Sequence, residues 1–330
     1  MYEKKRIWIK KDAVGKELWK NLLLASSLVP DDQVDFTLGI YCDDKLIGTG
    51  SLYKNIIKLV AVAESYQNEN LLTTIIMSLS SRLREEGQTH FFLYTSPSSA
   101  SSFQSLGFTE IVRTENLVFM EQGFPDFSDY ENVLRSHKKM ATSAGAIVMN
   151  ANPFTNGHLY LIERAAQEND VVYLFVLSEN YSEFSTTERM KLVKAGTKHI
   201  KQVVVLPTKD YQVSAATFPS YFLKDQAQEH IAQVQARMDA TLFKDKISPI
   251  LGIQTRYVGE EPFSPVTELY NRSMKEVFSD EITLTIIPRL EVKGQVVSAT
   301  KVRKLLQENH LESIRELVPS TTFTYLKEKK

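Results

Sequence analysis

The chain of 330 residues holds a single cysteine, Cys42, so no internal disulfide can form. That scarcity fits a reducing compartment. No motif surrounds Cys42, and a lone thiol of this kind reads as a small core residue rather than a nucleophile. Neither sign of charge is in excess: 39 Lys and Arg stand against 40 Asp and Glu, a formal charge of −1. Nothing therefore supplies the global basic field that drives non-specific nucleic-acid binding, and any anion must be held by a local site. Long apolar runs are also missing. The opening MYEKKRIWIKK carries basic residues without an apolar signal core. The longest clean runs, such as residues 171–177, are strand-length and far short of the ~20 residues that span a bilayer. The expectation is a cytoplasmic protein without internal repeats. What is present, 43% hydrophobic and 24% charged residues, is ordinary for a folded chain and excludes disorder, collagen and a coiled-coil rod. At roughly 100–200 residues per domain, the length suggests two domains.

The two halves differ in pattern. Residues 34–41 and 46–53 are β-rich and flank a turn at 42–45, and 56–62 is a further strand. Apolar residues at helical spacing (Leu72, Ile75, Ile76, Leu79, Leu83) predict a helix over 69–86, stopped by Gly87. A buried strand at 91–94 and a short helix within 96–105 follow. The polar stretch 123–139 marks the boundary between a domain over 1–130 and one over 140–330. Beyond it, strands at 146–150, 171–177, 203–206, 256–258 and 282–287 alternate with helices at 157–168, 186–199, 218–243, 266–278 and 300–308. Such alternation implies βαβ crossovers and a mostly parallel sheet, with ligands beyond the carboxyl ends of its strands.

Met149-Asn150-Ala151-Asn152-Pro153-Phe154-Thr155-Asn156-Gly157-His158 follows an apolar strand and opens a helix. Gly157 removes a side chain where the backbone enters that helix, and the helix amino terminus suits a phosphate. Thr155 can cap the helix or donate a hydroxyl. His158 can add a charge-assisted hydrogen bond worth roughly 1.5–3 kcal/mol. Local chemistry leaves a second reading open, in which this is a turn, a cap and a surface histidine. Val297-Ser298-Ala299-Thr300-Lys301-Val302-Arg303 opens another helix after the last strand. Ser298 and Thr300 can cap it or donate to phosphate oxygens, and Arg303 is a delocalised cation one turn in. The alternative here is an ordinary N-cap with a solvated arginine.

The first segment resembles the T/HxGH signature of the nucleotidyltransferase superfamily, with Thr155, Gly157 and His158 in place and Asn152 where Asp usually precedes Pro. The second is similar to that superfamily's ISSTxxR signature, with Val297 for Ile and Ala299 for the second Ser. The run 150–158, together with ATFPSYFLK at 216–224 and Gly259-Glu260-Glu261-Pro262-Phe263, resembles the citrate lyase ligase family over most of the chain. That resemblance implies a Rossmann-like nucleotidyltransferase domain at the carboxy terminus and an AMP-forming acid–thiol ligase. Its substrates would be ATP with Mg²⁺ on its phosphates, acetate, and the CoA-like thiol of the citrate lyase acyl carrier (γ) subunit, joined through acetyl-adenylate. His158, Thr155 and Arg303 would be catalytic. Asn152, Phe154, Thr155, Gly157, His158, Gly259, Ser298, Thr300 and Arg303 would bind ATP, with no metal held by the protein itself. An adenylyltransferase of the pantetheine-phosphate type is the alternative. Relatives carry a phosphate-binding lysine in the loop matching 180–183. None stands here, and Arg189 or Lys191 could take its place.

Residues 34–120 are similar to the GNAT acetyltransferase fold, an α+β arrangement. Its Q/RxxGxG/A motif, which cradles a pyrophosphate, reads Gln67-Asn68-Glu69-Asn70-Leu71-Leu72 here. Asn70 and Leu72 replace both small residues, so side chains should crowd the pyrophosphate path; the domain is expected to be non-catalytic, either docking the carrier arm or purely structural. His137 and His199 read as surface or packing histidines, and Glu260 and Glu261 as solvated.

Overall fold

A computed structural model describes residues 2–67, 69–179, 182–214, 217, 229–260 and 265–329. The chain divides into two compact units, Met1–Ser128 and Asp129–Lys330.

The first unit opens with β1 (Glu3–Arg6) and α1 (Ala13–Ala25), neither of which the periodicity announced. It continues through β2 (Phe36–Cys42), β3 (Lys45–Tyr53), β4 (Ile56–Val62), α2 (Leu71–Glu85), β5 (His90–Thr95), α3 (Ala100–Gln104), β6 (Thr109–Arg113) and β7 (Val118–Gly123). Asp43 and Asp44 both hold positive φ between β2 and β3. That is the two-residue turn whose twist matches a right-handed hairpin. The seven strands form one sheet in the order β1-β2-β3-β4-β5-β7-β6. Only β4 and β5 run parallel, and they pair only at Ile56–Phe92 and Ile57–Leu93. Ile75, Leu79 and Leu83 of α2 are fully buried against this sheet, as their spacing predicts, and Cys42 packs at the rim of the same apolar cluster. The unit is thus α+β, as expected.

The linking stretch 123–139 is largely helical: α4 (Phe127–His137) occupies it. The second unit then runs β8 (Ala144–Met149), α5 (Asn156–Glu168), β9 (Val171–Val176), α6 (Thr186–Thr197), β10 (Val203–Pro207), α7 (Glu229–Leu242), α8 (Ser248–Leu251), β11 (Thr255–Gly259), α9 (Pro265–Phe278) and β12 (Thr283–Ile287). A small hairpin, β13 (Glu291–Val292) with β14 (Gln295–Val296), precedes α10 (Ala299–Gln307), and α11 (Ser320–Lys329) closes the chain. The hairpin and α11 are additions to the expected elements. The expected helix over 218–243 is found in its second half, as α7; residues 218–228, and all of ATFPSYFLK but Thr217, lie outside the described residues.

All pairings in the five-stranded sheet are parallel, in the order β10-β9-β8-β11-β12. Numbered within the sheet this is 3-2-1-4-5, the doubly wound order whose direction reverses between β8 and β11. Every residue of β9 (VVYLFV) is buried, as a central parallel strand covered on both faces requires. Beyond the sheet's main core lies a second apolar cluster. It packs Phe184 from the segment after β9, Val297 from before α10, and Leu317, Val318 and Phe323 from the chain's end. Three segments distant in sequence are thus tied together at one place. Each large apolar side chain there contributes about 1.5–3 kcal/mol on burial.

Candidate functional site

β8 delivers the 149–158 segment to the carboxyl edge of the sheet at the reversal point. Thr155 is the N-cap of α5, with its backbone extended and its hydroxyl accepting from the His158 amide at 3.4 Å. His158 completes a capping box, because the Thr155 amide donates to Nδ1 at 3.0 Å. The usual partner at this position is Glu or Gln. Using histidine satisfies the same orphan amide and leaves a second ring nitrogen outside the box. An amide is an obligate donor, so Nδ1 is an acceptor and the neutral ring carries its proton on Nε2. This tautomer is assigned from the hydrogen-bond network. Burial, followed by the charge of Arg289, pushes the His158 pKa down to about 4. At neutral pH the ring is an uncharged Nε2–H donor.

Phe154 is fully buried and stacks on His158, with centroids 5.9 Å apart and planes 11° from parallel. It also fills the space beside Gly196, where a Cβ would lie 2.5 Å from its ring. Phe154 therefore backs the histidine rather than facing a ligand. Thr155 is buried too, with its hydroxyl 2.9 Å from His158 Nδ1, so it positions the imidazole. The first amide of α5, on Asn156, donates to the Leu317 carbonyl at 2.9 Å, and the Asn156 side chain donates to the Glu316 carbonyl. The chain's end thus supplies part of the cap. The Gly157 amide is left without a protein acceptor among the described residues.

The second segment meets the first. A Cβ on Gly157 would lie 3.2 Å from the Val297 carbonyl, so glycine is what lets the two helix entrances touch. Arg303 donates from Nη1 to the Asn152 carbonyl and from Nη2 to Thr300 Oγ1 at 3.0 Å. Ser298 is the N-cap of α10 and accepts from the Lys301 amide at 3.2 Å. Thr300 is exposed. Asn152 is a hub: its carbonyl takes Arg303, and its Oδ1 accepts from the Phe184 amide at 3.1 Å. Gly259 ends β11, with open space where a Cβ would be. Beside it the Glu260 carbonyl accepts from Arg289 Nε at 2.7 Å. Glu260 is exposed, and Glu261 to Phe263 lie outside the described residues.

Arg289 is the site residue that sequence reasoning missed. Its signal was weak: one cation two residues past the end of a strand, with no motif around it. Arg189, in contrast, is not the substitute cation expected. It is fully buried, and its donors are occupied by main-chain carbonyls. Lys191 extends over the Tyr325 ring, 5.3 Å from its centroid. Asn180 and Tyr181, half of the loop in question, lie outside the described residues. His137 is exposed and bonded to its own helix at the Val133 carbonyl, and His199 is exposed near Glu163.

A parallel 3-2-1-4-5 sheet, with two capped helix amino termini meeting at its carboxyl edge, defines the carboxy-terminal unit as a doubly wound, Rossmann-like α/β domain with a composite site at its strand ends. The family model for the citrate lyase ligase C-terminal domain matches residues 144–326. The [citrate [pro-3S]-lyase] ligase of Escherichia coli strain K12 is 36% identical over 308 residues, covering 91% of this chain and 87% of that protein. That of Klebsiella pneumoniae is 33% identical over 328 residues, covering 98% and 95%. The chain belongs to the citrate lyase ligase family, and it is a ligase. Among solved structures, an acetyltransferase of the GNAT family from Staphylococcus aureus Mu50 matches with a TM-score of 0.32 and 14% identity, covering 37% of this chain and 99% of that one. No helix among the described residues is long and apolar enough to cross a membrane.

Proposed function

We propose that this chain joins acetate to the CoA-like thiol of the citrate lyase acyl carrier subunit at the expense of ATP, and so activates citrate lyase. An acetate oxygen attacks the α-phosphorus of ATP, the bond to the β-phosphate oxygen breaks, and pyrophosphate leaves with the electron pair. The carrier thiolate then attacks the acetyl carbonyl. The C–O bond to the phosphate breaks, AMP departs, and the thiol proton passes to solvent.

Such chemistry asks the protein for in-line positioning and for neutralisation of the charge on departing pyrophosphate. The amide of Gly157, the Nε2–H of His158, the hydroxyls of Ser298 and Thr300, and the guanidinium of Arg303 are the donors. Thr155, Phe154 and Asn152 act through them, as cap, backing and hub. Gly259 leaves room for adenine beside the end of β11. Mg²⁺ would travel on the phosphate oxygens and lower their charge.

The observation that carries this reading is the contact of Gly157 with Val297, which brings two helix amino termini to one point on the sheet edge. The test is pyrophosphate–ATP exchange, followed by the mass of the citrate lyase acyl carrier after incubation with this chain, ATP, Mg²⁺ and acetate. Exchange that requires acetate, with acetylated carrier as product, is expected. Exchange that ignores acetate and follows added 4′-phosphopantetheine would instead make the chain an adenylyltransferase.

A further inference from the structure

Arg189 carries a charge that the proposed chemistry does not use. Its guanidinium is wholly buried, yet among the described residues none of its six hydrogen-bond acceptors is a carboxylate. Nε donates to the Phe184 carbonyl at 3.0 Å. Nη1 donates to the Asn150 carbonyl at 3.0 Å, to Asn150 Oδ1 at 2.9 Å and to the Leu177 carbonyl at 2.7 Å. Nη2 donates to the Glu179 carbonyl at 2.6 Å and to Thr186 Oγ1 at 3.0 Å. Burying an arginine costs several kcal/mol before its bonds are counted. An apolar side chain would avoid that cost but leave four buried carbonyls without their donor, so the fork's role is to hold those carbonyls.

The acceptors show what that role serves. They lie at the carboxyl ends of β8 and β9 and at both ends of the segment between β9 and α6. Asn150 opens the turn that ends in Thr155. Phe184 bonds Asn152 through its amide, Ser182 donates to Asn150 Oδ1 at 3.0 Å, and Asn152 holds Arg303 through its carbonyl. A continuous path therefore runs from Arg189 through Asn150 and Phe184 to Asn152, and from there to Arg303. Only a planar fork with five N–H donors can hold these carbonyls at once; a lysine offers three donors from a single point.

We infer that Arg189 is a positioning residue for the nucleotide site: it fixes the 150–152 turn and, through the Asn152 carbonyl, the direction in which Arg303 presents its guanidinium. The inference rests on the reading of Arg303 as an ATP-binding cation, and the experiment separates the two. Arg189→Lys, Arg303→Ala and the double variant are compared with the full-length protein by calorimetric titration with ATP and by exchange kinetics at varied ATP and acetate. Each single change should raise the ATP KM about tenfold, leaving the acetate KM within about twofold, a selective loss that general destabilisation would not give. The double variant should fall short of the product of the singles by at least about fivefold, because both changes disable one path. Multiplicative effects would overturn the inference. If Arg303→Ala leaves ATP binding unchanged, the reading of the site fails instead, and Arg189 loses this role with it. Should Arg189→Lys fail to fold, Thr186→Val removes one acceptor of the same fork. It should raise the ATP KM about three- to fivefold with the acetate KM unchanged; no change in the ATP KM would overturn the inference.

Discussion

Replacing His158 with alanine removes two functions that can be measured apart. The ring accepts from the Thr155 amide at Nδ1 and, being neutral, presents a proton on Nε2. Losing a preorganised donor to charge that develops on pyrophosphate costs about 2.7–4 kcal/mol of barrier, or about 10²–10³ in kcat. Losing the acceptor strands a buried amide, at about 1–3 kcal/mol of stability. For a unit of this size that lowers Tm by about 2–4 °C per kcal/mol. Acetate-dependent pyrophosphate exchange at 25 °C, where the variant remains folded, reads the first effect, and a thermal melt reads the second. The pH dependence supplies a further check. The folded pKa of about 4 lies below the ordinary 6.5, so the unfolded chain binds the extra proton between these values. The stability contributed by the neutral ring is complete above pH 6.5 and is lost as pH falls towards 4. The acid limb of kcat/KM assignable to His158 should accordingly lie near 4. A near-normal exchange rate in the alanine variant would refute the reasoning. So would an acid limb near 6.5 that the substitution abolishes.

Other expectations follow from single contacts. Gly157→Ala should raise the ATP KM about tenfold while moving Tm by only a few degrees, since the new methyl presses on the Val297 carbonyl at 3.2 Å but alanine favours the helix by about 1 kcal/mol; an unchanged KM would mean that the two entrances do not share a ligand. Glu188 is held at about 2 by hydrogen bonds from Lys329 and Tyr325. Its contribution is present above about pH 4.5 and lost as pH falls towards 2. Glu188→Gln should therefore cost about 1–2 kcal/mol at pH 7, after allowance for solvent screening, and the gap in Tm should narrow steadily as pH falls below about 4.5 towards 2; a constant gap would contradict the pairing. Asn70 begins α2 at φ 32, a left-handed conformation that glycine adopts without strain. Asn70→Gly should raise Tm and Asn70→Ala lower it, each by up to about 1 kcal/mol, with exchange unchanged because every proposed ATP contact lies in the other unit.

What the sequence disclosed and what it withheld divide along a physical line. Strand and helix alternation in the second half, and the Thr155-x-Gly157-His158 entrance, were legible because both are local. Periodicity follows from which face is buried, and a helix entrance restricts residue type within a few positions. Boundaries of the matched strands and long helices moved by no more than two residues where described, as with α5 at Asn156–Glu168 against 157–168. β1, α1, β6 and β7 were not announced; α1, for instance, carries Val14, Leu18 and Leu24 exposed among its buried Trp19, Leu22 and Leu23, which blurs the apolar stripe.

The site's supports were hidden for a different reason. Asn156 is capped from Leu317, 161 positions away, and no local pattern encodes a bond to a main-chain carbonyl at that distance. Arg189 was open to the same error: the sequence offers it as a cation for phosphate, and only the fold shows that four main-chain carbonyls converge on it. The donors proposed here, Arg289 apart, could be put forward from sequence because their chemistry is their own. Those that aim the donors could not, because their acceptors are backbone atoms that any residue would provide. Substitutions at Arg189, Asn150 and Asn152 should thus change ATP binding through Arg303, although none of the three need touch the nucleotide.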